Sequence, residues 1–290
     1  MAVALNSIRE IERELGELRD ASTEPGAAPL LRTSVMTHIA WVPGRWAEQA
    51  RETLLGLAER HPSRTILLFP CPDEADDVLE GEVDFRCFLR GGHEKEICSE
   101  VISIRLCGNR AAAPASVVMP LLVPDLPVFL RWRGPLPFGA QQLEQMVDVV
   151  DRLVVDSREW TDVRGELTRL PDLFHRVALS DIAWGRTLAW RAGLADLWPD
   201  VRDAAVLRVA APEAEALLLQ GWLSGRLGHE VRLEHEPAGE IELVEVDGRE
   251  ARIGRFEQKT ASDLLSDELE AFGHDRIYEE AVRSFSSGPT

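Results

Sequence analysis

Hydrophobic residues first recur at helical spacing near the start of the chain. Between residues 5 and 19 they fall every three or four positions, and charged residues occupy the positions between them. This pattern predicts a leading amphipathic helix over 5–19. Such a helix can dock on its own domain or on a partner, and most apolar stripes face their own core. The small residues and prolines of 21–29 predict a linker after it.

Short apolar runs then alternate with segments of helical periodicity. The runs are almost continuously apolar, as in strands covered on both faces, and they lie at 35–42, 65–69, 128–132 and 153–155. Two longer stretches, 82–89 and 94–106, predict strands in an antiparallel excursion. Strands that alternate with helices need right-handed crossovers. We therefore predict an α/β domain with a mostly parallel sheet flanked by helices.

The pattern changes after Pro171. Residues 181–198 predict a Trp-rich helix, and strands, a second helix and alternating strands follow it. Asp247-Gly248 lies between two alternating runs, which strongly indicates a hairpin turn. We predict an N-terminal domain at 1–170 and a smaller α+β domain with an antiparallel hairpin at 171–290.

Charge and hydropathy narrow the classes of function. The 290 residues include 32 Lys+Arg against 50 Asp+Glu, a net charge of −18. Non-specific nucleic-acid binding and docking on anionic membranes both need basic side chains, so we expect neither partner. No run of about 20 apolar residues occurs, the first residues do not resemble a signal peptide, and the cysteines are few. We expect a cytoplasmic protein.

The common signatures of catalysis are missing from the sequence. Lys95 and Lys259 are the only lysines, and no Walker loop, G-x-G-x-x-G, G-x-S-x-G or H-E-x-x-H motif occurs. Histidines are scattered, and nothing singles out a pair among the many acids. We therefore expect no cofactor, no metal and no catalytic residue.

Polar residues follow two of the predicted strands. Arg131 and Arg133 end one apolar run, and Asp156 and Ser157 end another. Ligands of open parallel sheets bind beyond the carboxyl ends of the strands, and arginine forks suit a phosphate or a carboxylate. No glycine-rich turn accompanies them. A catalytic crevice is thus one interpretation, and structural or partner-binding use of these groups is favoured over it.

The four cysteines allow more than one interpretation. They form no C-x-x-C motif, which disfavours a zinc ribbon. Cys98 and Cys107 lie on opposite faces of one predicted strand and cannot pair with each other. We expect buried free thiols, and redox control through other pairings, with Cys98 as the candidate, is the alternative. Glu100 shares a face with Cys98 and needs a partner, which we expect to be an arginine.

The Trp-rich segment combines the two residue types that dominate protein interfaces. Arg186 and Trp190 at i,i+4 predict a cation–π pair, whereas Trp184, Leu188 and Arg191 share another helical face. Core packing is the favoured interpretation of the tryptophans, and partner contact is the alternative. Further on, ten acids against three arginines between 213 and 250 predict a solvated face or a docking surface for a basic patch.

Three blocks of sequence, in order, resemble a known family. They are RTSVMT at 32–37 with HPSR at 61–64, MPLLVPDLPVFLRW at 119–132 with DRLVVDS at 151–157, and DIAWGRTLAWR at 181–191 with GWL at 221–223 and RLG at 226–228. The chain resembles the OpcA family, the bacterial glucose-6-phosphate dehydrogenase assembly proteins. The P-D-L-P-V block around Asp125 is the most specific. Family members often have Trp-Trp where this chain has Arg131-Trp132.

The resemblance implies a protein without catalytic groups that binds glucose-6-phosphate dehydrogenase, promotes its active oligomer and tunes its activity in the oxidative pentose phosphate route. The candidate partner-binding or crevice residues are Asp125, Arg131, Trp132, Arg133, Asp156, Ser157, Trp184, Arg186, Trp190 and Arg191. The alternative is an enzyme or sensor that binds a sugar phosphate through Arg131, Arg133, Asp156 and Ser157.

Overall fold

The chain forms two compact units, which interleave along the sequence. In this computed structural model the first unit comprises Met1–Arg133, Pro137–Leu153 and Ala261–Leu269, and the second comprises Gly134–Leu136, Val154–Thr260 and Glu270–Thr290. The structure describes residues 5–21, 34–58, 60–89, 96–254, 259–270 and 273–285. The domain boundary near Pro171 stays a prediction.

The strands of the described residues form two sheets. They are β1 (Met36–Trp41), β2 (Ser63–Cys71), β3 (Leu79–Leu89), β4 (Glu96–Cys107), β5 (Val128–Trp132), β6 (Arg152–Val155), β7 (Ala178–Asp181), β8 (Val206–Ala211), β9 (Arg232–Pro237), β10 (Leu243–Val246) and β11 (Arg249–Glu250). One sheet has seven strands in the order β3-β4-β2-β1-β5-β6-β7, and the other has four in the order β11-β10-β8-β9. The predicted α/β fold with a smaller α+β part is confirmed.

Helices connect these strands. The α-helices of the described residues are α1 (Ile8–Ala21), α2 (Ala47–Ala58), α3 (Asn109–Ala112), α4 (Pro114–Val118), α5 (Gln141–Val147), α6 (Val163–Arg169), α7 (Ile182–Arg186), α8 (Leu188–Ala195), α9 (Glu213–Leu227), α10 (Ala261–Glu270) and α11 (Arg276–Arg283). None of the helices that the structure describes is long and apolar enough to cross a membrane.

Parallel pairing dominates the seven-stranded sheet. β1 pairs in parallel with β2 and with β5, and β2 pairs in parallel with β4. All residues of β1 and β5 are buried, which explains their largely apolar character. β3 pairs antiparallel to β4, as the two longer stretches predicted. On β4, Glu100 accepts a hydrogen bond from Arg64 Nε at 2.7 Å, so the arginine partner expected for this acid is confirmed.

The leading helix docks on its own unit. Ile11 and Leu15 are buried, and Leu5 exchanges backbone hydrogen bonds of 2.9 and 2.7 Å with Gly81 on β3. A Cβ atom at Gly81 would lie only 2.6 Å from Ile11 Cδ1, so the helix uses the space that this glycine leaves. Of the two alternatives for the amphipathic stripe, docking on its own core is the one found.

The second unit's sheet packs on α9. β8 pairs in parallel with β9 and antiparallel with β10, and the β10–β11 hairpin turns at Asp247 and Gly248. Both turn residues have positive φ, 46° and 82°, as a two-residue hairpin turn of type I′ requires. The predicted hairpin is confirmed. Trp190 and Trp222 pack against the buried cluster of this unit, which supports the core interpretation for Trp190.

The Trp-rich helix predicted over 181–198 is interrupted. α7 ends at Arg186 and α8 begins at Leu188, with Thr187 between them. The Thr187 hydroxyl donates to the Trp184 carbonyl oxygen at 2.7 Å and so competes with the helical backbone ladder.

Two glycines on α9 give a matched test of how tightly α9 packs on α11. A Cβ at Gly221 would lie 2.4 Å from the Ala281 carbonyl oxygen, whereas a Cβ at Gly225 meets its nearest atom, the Glu280 oxygen, at 3.9 Å. We expect Gly221→Ala to lower the free energy of unfolding by about 1–3 kcal/mol because backbone atoms must move apart. Gly225→Ala should leave it unchanged or raise it by up to about 1 kcal/mol through helix propensity.

Urea unfolding of the two variants and the wild type measures this difference. Equal stabilities for Gly221→Ala and Gly225→Ala would contradict the close approach of α9 and α11.

Candidate functional site

Two aspartates follow the buried strands β6 and β7 of the second unit. Asp156 caps the short 3₁₀ turn Ser157–Glu159 by accepting from the Arg158 backbone N–H at 3.3 Å. Asp181 ends β7 and caps α7, where its Oδ1 accepts from the Ala183 N–H at 2.9 Å and from the Ser157 N–H at 3.0 Å. The Ser157 bond joins the ends of the two strands.

Two arginines connect these ends to α9 and to the loop before β10. Arg186 forms a bidentate pair with Asp156, with N–O distances of 2.9 and 3.1 Å. Arg158 donates through Nε to Glu215 on α9 and through both terminal nitrogens to Glu240, at 3.1 and 3.0 Å. We refer to Asp156, Asp181, Glu215, Glu240, Arg158 and Arg186 as the carboxylate cluster.

Carboxyl groups outnumber guanidinium groups in this cluster, and two of them are fully buried. Burial raises the pKa of Glu215 from 4.5 to about 7, against the opposing charges of Arg158 and Arg186. Burial and the nearby charge of Asp156 raise the pKa of Asp181 from 3.8 to about 6. Glu215 Oε2 has no hydrogen-bond partner. Proton uptake by these two groups offsets the excess negative charge.

A carboxyl group with a pKa near neutrality can move a proton in catalysis. The cluster's arginines, however, are already occupied by carboxylates. Arg186 directs both terminal nitrogens to Asp156, and Arg158 holds Glu215 and Glu240. Neither guanidinium offers a fork to a phosphate. The arrangement therefore suits an internal ion-pair network that ties strand ends to α9, rather than an anion site.

The arginine that stacks on tryptophan is Arg191, not Arg186. The Arg191 guanidinium lies 3.5 Å from the centre of the Trp184 ring, and the Trp184 Nε1 donates to Asp275 at 2.8 Å. The predicted pairing of Arg186 with Trp190 was wrong, because both terminal nitrogens of Arg186 are directed to Asp156. Trp184 is buried, so it serves the core.

The other predicted crevice residues belong to the first unit and have contacts there. Arg131 is buried and donates to the Trp132 carbonyl oxygen. Arg133 donates to Gln49 at 2.6 Å and lies 4.6 Å from the centre of the Trp46 ring. Trp132 itself stacks on Trp41 with ring centres 4.7 Å apart.

Asp125 lies in the exposed turn before β5 and adopts a left-handed backbone conformation with φ of 64°. Asn and Asp tolerate this region better than other side chains because they hydrogen-bond locally. The most specific block of the sequence thus encodes a turn.

A cleft opens at the carboxyl ends of β1, β2 and β4 in the first unit. Its volume is about 370 Å³, and its lining includes Trp41, Asp77, Asn109 and Gln142. The Asn109 backbone and side-chain N–H groups donate to Asp77 at 2.7 and 3.2 Å, and they lower the pKa of that carboxyl. No lining residue is basic, and none belongs to the predicted crevice. Such a lining does not suit a phosphate.

Cys71 and Cys107 form a disulfide beside this cleft, so the expected free thiols were wrong for these two residues. They are register partners on the neighbouring parallel strands β2 and β4, 36 residues apart in sequence. Their sulfur atoms and a carboxylate oxygen of Glu74 lie within 4.8 Å of one another. Metal binding there would need the thiolate forms. The Cys98 side chain lies outside the described residues, so its redox role stays a prediction.

His38 is a buried group that the sequence did not single out. It lies on β1, and neither ring nitrogen has a hydrogen-bond partner. Burial, together with the nearby charges of Arg131 and His61, lowers its pKa to about 4. The imidazole is therefore neutral at physiological pH and packs as a core residue.

The sequence is similar to two family models that lie one after the other along the chain. The glucose-6-phosphate dehydrogenase subunit N-terminal domain matches residues 54–172, and the corresponding C-terminal domain matches residues 177–282. Both models belong to the OpcA family.

Two curated relatives are similar over two thirds of this chain. An OxPP cycle protein OpcA from Nostoc punctiforme is 27% identical over 203 residues, 66% of this chain and 43% of the relative. An OxPP cycle protein OpcA from Synechococcus elongatus is 28% identical over 207 residues, 67% of this chain and 46% of the relative. The chain spans about half the length of the curated relatives it matches.

Glu215→Gln tests the buried carboxyl of the cluster. The folded chain keeps a proton on Glu215 up to about pH 7, whereas the unfolded chain loses it near pH 4.5. The stability that this proton confers is therefore fully present below pH 4.5 and is lost as the pH rises through 7. At ~1.4 kcal/mol per pKa unit the loss amounts to about 3 kcal/mol. We expect the variant to lose much less stability with rising pH than the wild type.

Urea unfolding at a series of pH values measures this slope. Glu240→Gln is the matched control on the same arginine, because Arg158 lowers the pKa of Glu240 and its contribution is lost as the pH falls instead. Identical pH dependence for the wild type and Glu215→Gln would show that Glu215 is ionised in the folded chain.

Proposed function

The chain belongs to the OpcA family of glucose-6-phosphate dehydrogenase subunits, and from this premise we propose that it binds glucose-6-phosphate dehydrogenase and favours its active oligomer. The observation that carries the proposal is the ordered match of both family models, which together extend from residue 54 to residue 282. The chain acts by binding and contributes no catalytic step of its own.

The mechanism is a population shift. A protein that binds the active oligomer more tightly than the inactive form moves the equilibrium toward the active oligomer. The size of the shift is limited by the ratio of the two affinities, with about 1.4 kcal/mol for each factor of ten. By linkage, anything that favours the active oligomer also tightens binding of this chain. Such an activator needs a stable folded body and a complementary surface.

Several contacts support this proposal over a sugar-phosphate enzyme. The arginines expected to hold a phosphate have internal contacts: Arg131 with the Trp132 carbonyl oxygen, Arg133 with Gln49, and Arg186 with Asp156. The charged residues that line the cleft in the first unit are the acids Glu74 and Asp77, and no lining residue is basic. The net charge of −18 would repel an anionic metabolite and attract a basic protein surface.

A titration of glucose-6-phosphate dehydrogenase from the same organism with this chain tests the proposal. We expect the oligomer distribution, followed by sedimentation velocity, and the initial rate of NADP⁺ reduction to change together and to saturate at the same concentration. The two readouts should share a midpoint because one equilibrium controls both.

The same assay without the dehydrogenase is the control, and we expect no turnover of glucose 6-phosphate in it. An unchanged oligomer distribution and unchanged kinetics at saturating chain would refute the proposal.

A further inference from the structure

Helix α8 exposes an apolar face. Leu188 is 57% exposed, and Ala192 and Ala195 follow it on the solvent side at i+4 and i+7. Gly193 and Leu194, on the other side of the same helix, are buried. The chain then continues through Trp198, which is 55% exposed. We call Leu188, Ala192, Ala195 and Trp198 the α8 strip.

Single exposed hydrophobic residues are ordinary on protein surfaces. The α8 strip differs because its three helical members recur at i, i+4 and i+7, and an exposed tryptophan follows three residues after the helix ends. Exposing an indole to water costs free energy, and tryptophan is the residue type most enriched at the centres of protein interfaces. The Arg202 guanidinium lies 5.8 Å from the centre of the Trp198 ring and supports one side of it. An apolar strip of this kind is typical of a binding surface.

Acidic residues border the strip. Asp196, Asp200 and Asp203 are exposed in the segment that contains Trp198. The β10–β11 hairpin adds further acids and is fastened to this segment: Asp247 accepts from the backbone N–H groups of residues 205 and 206, and Arg249 pairs with Asp200. Arg202 contacts the Trp198 ring, and Arg249 pairs with Asp200. The exposed acids Asp196, Asp200, Asp203, Asp247 and Glu250 outnumber these two arginines, so the border carries a negative charge.

We propose that the α8 strip docks into an apolar hollow rimmed by arginine or lysine side chains on the surface of the dehydrogenase. This inference rests on the proposed function and adds the surface through which it operates. The strip complements such a hollow in both respects, since apolar groups fill it and aspartates meet its basic rim.

A second copy of this chain is a poorer occupant of the strip. Pairing across a two-fold axis brings the same patch of each copy together, so the aspartates of one border would face those of the other. A nucleic acid or an anionic membrane would meet the same repulsion from the border. A basic protein surface is the partner that the strip and its border fit together.

Substitutions on the strip test the inference in the full-length chain. Leu188→Ser and Trp198→Ser should each weaken binding of the dehydrogenase by about tenfold or more, as truncation of an interface anchor does. Ile277→Ser is the matched control, because Ile277 is an exposed apolar residue of the same unit, 42% exposed, on α11 rather than on the strip. The affinity of the Ile277→Ser variant for the dehydrogenase should equal that of the wild type.

The acidic border predicts that the affinity for the dehydrogenase depends on salt concentration. Asp196→Asn combined with Asp203→Asn should weaken binding at low ionic strength and reduce the dependence of the affinity on salt, because screening then has fewer charges to act on. Unaltered unfolding curves would confirm that these exposed substitutions leave the fold intact.

The outcomes separate the inference from the proposed function. If the wild-type chain fails to bind the dehydrogenase, the proposed function falls and the inference falls with it. If the wild type binds and Leu188→Ser and Trp198→Ser bind equally well, the surface is wrong and the proposed function stands. The chain alone could instead self-associate as its concentration rises. If Leu188→Ser abolishes that self-association, the strip binds a second copy and the inference is overturned.

Discussion

A buried carboxylate must be paired with a cation or take up a proton, and this constraint organises the second unit. Asp156, Asp181 and Glu215 meet where β6, β7 and α9 come together, and among the described residues Arg158 and Arg186 are the cations that pair with Glu215 and Asp156. Each arginine fixes two chain segments at once because the planar guanidinium holds its partners in a defined geometry. Burial raises the pKa values of the two fully buried acids, Asp181 and Glu215, and so favours their protonated forms.

The same constraint explains why this site resembles an active site. Perturbed carboxyl groups next to arginines at strand ends are typical of catalytic centres, and the sequence suggested such a crevice. Here the guanidinium groups are occupied by the protein's own carboxylates. Membership of the OpcA family agrees with a protein whose buried charged groups pair with one another and whose surface is available for another protein.

Several local features could be predicted from the sequence. The buried runs became β1, β5 and β6, and the Asp247-Gly248 pair became a hairpin turn. Glu100 pairs with Arg64, as expected for a buried acid. The apolar stripe of the leading helix faces its own unit. These features depend on residues that lie a few positions apart or on the free-energy cost of burying polar groups. Both the local spacing and the polar residues can be identified from the sequence.

The pairings were decided by the tertiary structure. Cys71 met Cys107 because parallel strands bring residues at the same level together, across 36 positions of sequence. Arg158 reached Glu215 across 57 positions. Arg186 paired with Asp156, 30 positions away, and not with Trp190. The sequence alone determined the elements, the turns and the family, since these depend on local spacing and residue order. Which charges, sulfurs and rings became neighbours depended on how distant segments pack.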